Sequence, residues 1–334
     1  MTAAAPTAGG LRSNDRSRSV RQLKRSGWVI GLYALLVGLL LFTFAIKPGY
    51  GPTDIESLAI TVLPMVFAAA AQTVAVISGG IDLSVGSIMA LCSVTAAALM
   101  PQAGDLGAVG VVAIVLLVGM LAGAINGFLI VVTRVPDIVV TLAMSFVWAG
   151  AALLVLDSPG GGAAAWFISL ADGTFLIEWL PRALVLMLAF IAIVWIPIRR
   201  SRFGLALYAI GSDRTAALRS GVNVNRTRIL AYAVTGLFCA AGGLSLTMTT
   251  GIGLPVPGPY TLGGVAAIVL GGVSLVGGRG GMLGPIAAAF ILALIRIDLV
   301  FLGVTSDYSQ VIQGVILVVV VMFGGLVEMR RTRQ

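Results

Sequence analysis

The chain has 334 residues, 59% of them apolar and 10% charged, with a mean hydropathy of +1.07 and a formal charge of +8. Soluble domains carry about a quarter of their residues as Asp, Glu, Lys or Arg, so this composition excludes one and implies a surface that mostly meets hydrocarbon. With no His and only Cys92 and Cys239, His-based triads, His-ligated metals and a disulfide framework are excluded, and neither Lys24 nor Lys47 sits in a G-x-x-x-x-G-K-[ST] loop.

Residues 1–27, rich in Ala, Ser, Gly and Arg, read as a disordered basic cytoplasmic tail. Since crossing a bilayer takes about 20 apolar residues, ten transmembrane helices are predicted in an all-α integral membrane domain over 28–328. They lie near 28–46, 58–77, 84–100, 108–132, 138–156, 183–198, 228–249, 261–276, 282–300 and 310–327, followed by a basic tail at 329–334. The first run is longer than the 7–15 residues of a signal-peptide core and ends Ala45-Ile46-Lys47 without an A-x-A site, so it reads as an anchor. Pro101, Pro159, Pro181, Pro255, Pro257 and Pro259 fall between runs, where a missing N–H costs least.

Alternating the runs puts 78–83, 133–137, 199–227, 277–281 and both termini on one side. That side carries eighteen of the Lys and Arg residues, whereas Lys47 and Arg182 alone occupy the other and Arg296 falls inside a run. This is the positive-inside signature, which makes both termini cytoplasmic and accounts for the net charge without a nucleic-acid partner.

The second and third runs are joined by Ser78-Gly79-Gly80-Ile81-Asp82-Leu83-Ser84-Val85-Gly86-Ser87, short and Gly-rich. Backbone opened at membrane depth must be buried in protein or line an aqueous cavity. Gly271-Gly272-Val273-Ser274-Leu275-Val276-Gly277 repeats the pattern between the eighth and ninth runs. Two such interrupted segments in corresponding places point to a translocation path, with Gln72, Gly79, Gly80, Asp82, Ser84, Asn126 and Ser274 as candidate path residues. Two readings of Asp82 stay open: a path carboxylate, or, with Ser84, a cap on the third helix. Asn126 sits in the stripe Gly119-x-x-x-Gly123-x-x-x-Gly127, where its amide reads as interhelical glue. Arg296 and Asp298 do not face each other at their spacing, and both read as snorkelling to the interface.

In the loop 199–227, Ser212 or Asp213 caps a short helix, Ala216 and Ala217 favour it, and Gly221 supplies a left-handed stop. Two turns are too few to be stable alone in water, so a partner protein is expected to hold it.

Several separate motifs resemble, in order, the permease family of bacterial ATP-binding-cassette (ABC) importers for ribose, xylose and galactofuranose. They are the Ile77-to-Ser87 segment, Asn126-Gly127, Arg134-Val135-Pro136, Phe203-Gly204, Tyr208-Ala209-Ile210-Gly211, Ser220-Gly221-Val222-Asn223-Val224 and Leu270-Gly271-Gly272-Val273-Ser274-Leu275-x-Gly277-Gly278-Arg279-Gly280. The resemblance implies a monosaccharide permease of the bacterial inner membrane that catalyses no bond chemistry. It implies two ABC ATPase subunits binding ATP and Mg, a periplasmic sugar-binding protein, and a second permease subunit, identical or not. It also makes Thr215-Ala216-Ala217-Leu218-Arg219-Ser220-Gly221 similar to the E-A-A-x-x-x-G coupling segment, with Thr215 in place of the acid, so that Asp213, Arg214, Ala216, Ala217, Arg219 and Gly221 are candidate ATPase-coupling residues. Many relatives carry an acid after the Leu before Ala266-Ala267, where this chain has Leu262-Gly263-Gly264, which leaves the sugar or polyol open. The alternatives are an ABC permease for a nucleoside or branched-chain amino acid, against which the Ser78-to-Ser87 motif tells, and an ion-coupled secondary transporter. The latter needs intramembrane ionisable groups, and only Arg296, Asp298 and Asp82 qualify.

Overall fold

The computed structural model describes residues 11–305 except Pro257, then 308, 309, 311, 312, 314, 315, 318, 319 and 322, with side chains described from Gly27 onward. The elements are α1 (Leu11–Ile46), α2 (Pro52–Ile77), α3 (Val85–Thr133), α4 (Asp137–Val155), α5 (Ala165–Ser169), β1 (Thr174–Phe175), β2 (Ile177–Pro181), α6 (Arg182–Arg200), α7 (Arg202–Ser212), α8 (Arg214–Arg219), α9 (Val224–Thr250), α10 (Tyr260–Leu270) and α11 (Leu283–Phe301). Seven helices among the described residues are long and apolar enough to cross a membrane.

That number differs from the ten predicted runs for three local reasons. The third and fourth runs form α3, which is bent double at Gly104 (φ 62°, ψ 178°), a conformation only glycine adopts readily. Its limbs lie antiparallel, as shown by Asn126 Nδ2 donating to Ser84 Oγ at 2.7 Å and by Cys92 Sγ lying 3.9 Å from the Val115 carbonyl. Pro101 thus belongs to a helix, one turn before the bend. The eighth run contributes only the 11 residues of α10, roughly half the length needed to span. Most of the tenth run, residues 1–10 and the tail 329–334 lie outside the described residues.

Two further expectations change. Residues 11–26, expected to be disordered, belong to α1; the segment holds neither Gly nor Pro, and Leu, Arg, Gln and Lys are good helix formers. The fold is also not purely helical, because β1 and β2 pair antiparallel beside α6. Ile177, Trp179 and a positive φ at Leu176 suit a tight hairpin better than a helix.

α2 and α9 are the central helices, with 83% and 78% of their apolar windows buried, against 11% for α1 and 17% for α4. α9 lies in the groove of the α3 hairpin. A Cβ on Gly119 would lie 2.6 Å from Ala240 Cβ, one on Gly127 2.8 Å from Ile229 Cα, and Gly123 is pressed on Tyr232 and Gly236. In hydrocarbon, where apolar side chains gain nothing by leaving solvent, such small-residue seams let dispersion hold helices together.

Candidate functional site

All four segments predicted to share a side meet at one end of the bundle. The break after α2 touches the break after α10, and both touch the end of α7. Gly278 N–H donates to the Ile77 carbonyl at 3.0 Å. A Cβ on Gly277 would lie 2.8 Å from the Gly211 oxygen and 2.9 Å from Gly79 Cα, and one on Gly211 would overlap the Ile77 carbonyl and lie 2.5 Å from Gly278 N. The three backbones come this close because none carries a side chain there. Gly80 packs on Asp137 and Tyr232, which brings the turn before α4 into the same junction.

One residue past Gly211 and Ser212, α8 projects from this junction. Asp213, not Ser212, caps it, accepting from the N–H groups of Thr215 (2.8 Å) and Ala216 (2.9 Å). Gly221 (φ +83°) closes it, with Val222 N–H donating to Ala217 and Gly221 N–H to Leu218, a complete left-handed stop. Ala217 alone is buried, against Ile210 and Val224, whereas Arg214, Ala216, Leu218 and Arg219 are exposed. Two caps and one buried methyl therefore hold this two-turn helix, and its outer face is free.

The polar path candidates gather above the junction. Asp82 Oδ1 accepts from Ser84 N–H (2.8 Å) and Ser84 Oγ (2.6 Å), Asn126 Nδ2 donates to Ser84 Oγ, and Trp148 Nε1 donates to Asn126 Oδ1 at 3.1 Å. Gln72 Nε2 donates to the Asp82 carbonyl, while Thr141 of α4 accepts from Leu83 N–H at 3.0 Å. Ser84 occupies the N-cap position of α3 without capping it, because its hydroxyl is already engaged by Asp82 and Asn126. Gln72, Asp82, Ser84 and Asn126 are all 0% exposed, so in this conformation no solute reaches them. Asp82 Oδ2 and Gln72 Oε1 have no hydrogen-bond partner among the described residues. Ser274 stands apart, half-buried in the turn its N–H closes with the Arg279 carbonyl. Asp298, expected at the interface, is buried and accepts from Thr43 Oγ1 of α1 at 2.8 Å, whereas Arg296 is exposed.

A third feature lies between α9 and α10. The chain leaves α9 beside Ala97, passes Leu254 N–H to Ser93 Oγ (3.3 Å), and reaches Thr261, whose hydroxyl accepts from Gly86 N–H at 2.9 Å. It thus descends about three turns along α3, from Ala97 to Gly86, and α10 begins beside Met65 and Ala68, in the middle of α2. The eighth predicted run, 261–276, therefore supplies only the helical half of a broken span, whose irregular half, 251–259, precedes it. Val256 and Leu262 at this break are 70% and 68% exposed.

Sequence reasoning passed over one cluster entirely. Asp137, first residue of α4, accepts from Arg228 Nη2 and from the Tyr232 hydroxyl (2.8 Å), and Arg228 is buried. An acid directly after Pro136 at the start of an apolar run is the signal that marks it, since nothing else in that turn offsets an arginine entering the membrane edge.

A family model described as "Branched-chain amino acid transport system / permease component" matches residues 55–321. The chain is 34% identical over 307 residues to the ribose import permease protein RbsC of Bacillus subtilis (strain 168), covering 90% of this chain and 92% of that one. It is 31% identical over 314 residues to the autoinducer 2 import system permease protein LsrD of Escherichia coli (strain K12), covering 89% and 92%. No solved structure matches the chain.

Proposed function

Because the chain belongs to the branched-chain amino acid transport system permease component family, we propose that it is the membrane permease subunit of an ABC importer for a monosaccharide or related carbohydrate. The substrate class follows the ribose and autoinducer 2 permeases that match it over nearly its whole length. The chain makes ten crossings of the bacterial inner membrane: α3 counts twice, the broken stretch 251–270 once, and 310–327 supplies the last. Both termini and the junction around Gly211 are cytoplasmic, as the excess of arginine there requires. α8 docks on an ABC ATPase, which binds ATP and Mg, and a periplasmic binding protein delivers the solute to the opposite face.

One observation carries this reading. Irregular backbone at membrane depth is tolerated only where protein covers it or water reaches it, yet 256, 258 and 259 are exposed in this chain alone. A second permease subunit, identical or homologous, faces this break, and the translocation path runs between the two along Val256 and Leu262. In alternating access the break would rock with α8 as the ATPases close. Gly263 is buried against the flexible end of Met65, and with Gly263 and Gly264 following Leu262 this chain has no acid here, so sugar selectivity at this point rests on neutral groups.

Reconstitution with its ATPase and binding protein tests the assignment. ATP-dependent uptake of a pentose, hexose or polyol is expected, with no uptake driven by a proton or sodium gradient; uptake of branched-chain amino acids instead would overturn the substrate class. The position of the path is tested by thiol labelling. Cys92 and Cys239 are buried and give no background, so Leu262→Cys should react with a polar maleimide, because the thiolate forms only in water. Phe146→Cys, 73% exposed on the outside of α4, should not react. Equal labelling of both would move the path away from the break.

A further inference from the structure

At the end of the bundle that carries α8, a cavity of about 460 Å³ opens between the α3–α4 turn and the start of α9. Arg134, Arg214, Arg228 and Asn225 line it, together with a single carboxylate, Asp137. That carboxylate is committed to Arg228 and the Tyr232 hydroxyl, and Asp213, one residue before Arg214, is committed to capping α8. Among the described residues neither Arg134 nor Arg214 has an ion-pair partner. Partial burial, and after it the neighbouring Arg228, push the Arg214 guanidinium down from its ordinary value, with Asp137 acting the other way. The cavity therefore holds two unbalanced positive charges, and Arg134 is kept at its rim in a left-handed conformation (φ 58°) that non-glycine residues seldom adopt.

We propose that this cavity binds the phosphate of an anionic phospholipid from the cytoplasmic leaflet, with Arg134 and Arg214 as its ligands and Arg228 as a fixed wall. The choice of a lipid over a soluble anion rests on the surroundings. Ile130 and Val135 form part of the lining, and Val132, Ile138 and Val139 continue an exposed apolar surface up the adjoining helices, where acyl chains have something to cover. The volume also exceeds what a bare phosphate fills, leaving room for a polar headgroup. Basic pockets of this kind at the cytoplasmic ends of helices suit phospholipid headgroups. Such a lipid ties the first turn of α8 to the α3–α4 turn, so that the coupling helix is referenced to the membrane as well as to its ATPase. The inference rests on the orientation proposed above.

The test uses the full-length permease, purified in mild detergent and supplied with phosphatidylglycerol or phosphatidylcholine, with retained lipid counted by native mass spectrometry. Wild type should retain phosphatidylglycerol in preference to phosphatidylcholine. The double variant Arg134→Gln, Arg214→Gln should hold it about 30-fold more weakly, at roughly 1 kcal/mol for each arginine, and the corresponding Lys variant should keep most of the affinity. Both side chains are exposed, so the variants should elute as wild type on gel filtration. Retention equal to wild type in the Gln variant overturns the proposal. So does displacement by millimolar inorganic phosphate, which marks a free-anion site, and so does loss of the lipid on adding the ATPase, which marks an acidic protein side chain as the occupant. Retention is read without transport, so its failure leaves the permease assignment intact, whereas failed uptake with normal retention strikes the assignment alone.

Discussion

Gly211→Ala is expected to lower ATP-dependent uptake by roughly tenfold or more while the protein still inserts and assembles with its ATPase. The added methyl has nowhere to go: it overlaps the Ile77 carbonyl and meets Gly278 N at 2.5 Å, and these are backbone atoms that cannot rotate aside. Overpacking of this kind costs about 1–3 kcal/mol, and each 1.4 kcal/mol is about tenfold in an equilibrium. The strain falls where the breaks after α2 and α10 both press on the residue that leads into Asp213 and α8, so it separates the coupling helix from the segments it moves. The predicted signature is uncoupling: basal ATP hydrolysis persists, but stimulation by the loaded binding protein is lost together with uptake. Gly150→Ala is the control, because nothing lies within 4 Å of its would-be Cβ and Ala is the better helix former. If Gly211→Ala and Gly150→Ala transport alike, the junction carries no motion.

Composition and loop charge were enough to read the multi-pass helical class and which loops share a side, because hydropathy and the Lys/Arg bias respond directly to the bilayer. The two Gly-Gly segments were legible as breaks for the same reason. Nothing in either segment says that they touch each other through Gly79, Gly211 and Gly277, since a missing side chain records that something comes close, not what it is. α3 was legible as two runs, and the bend at Gly104 reconciles that reading with one continuous element. The prolines before the eighth run made its start legible, and α10 begins at Tyr260 as expected; its end was not legible, because Val, Leu and Gly are equally apolar in helix and in irregular chain, and α10 stops at Leu270, six residues short of 276. Asp82, Gln72 and Asn126 stood out as polar groups in an apolar chain, but polarity alone does not separate a buried network from an open path. Their complete burial comes from tertiary contacts with Trp148 and Thr141 of α4, which no spacing in the sequence announces.

The Asp137–Arg228 pair gives the second large effect. Asp137→Ala is expected to destabilise the permease by about 3–5 kcal/mol, because it strands a buried guanidinium and removes the acceptor of the Tyr232 hydroxyl. In detergent this should lower the midpoint of thermal inactivation by about 5–15 °C. The decisive comparison is the double variant Asp137→Ala, Arg228→Met. If the cost is that of an unpaired buried charge, replacing the arginine by an apolar side chain of similar length restores most of the loss. If the pair instead contributes chiefly through packing, the double variant is at least as unstable as the sum of the single ones. Gly80 rests on Asp137 and Tyr232, so the single variant should also loosen the break after α2. Amide exchange at residues 79–83 should then quicken in Asp137→Ala and return toward wild type in the double variant. Recovery of the midpoint without recovery of exchange at those residues would show that the pair stabilises the fold but does not hold the break.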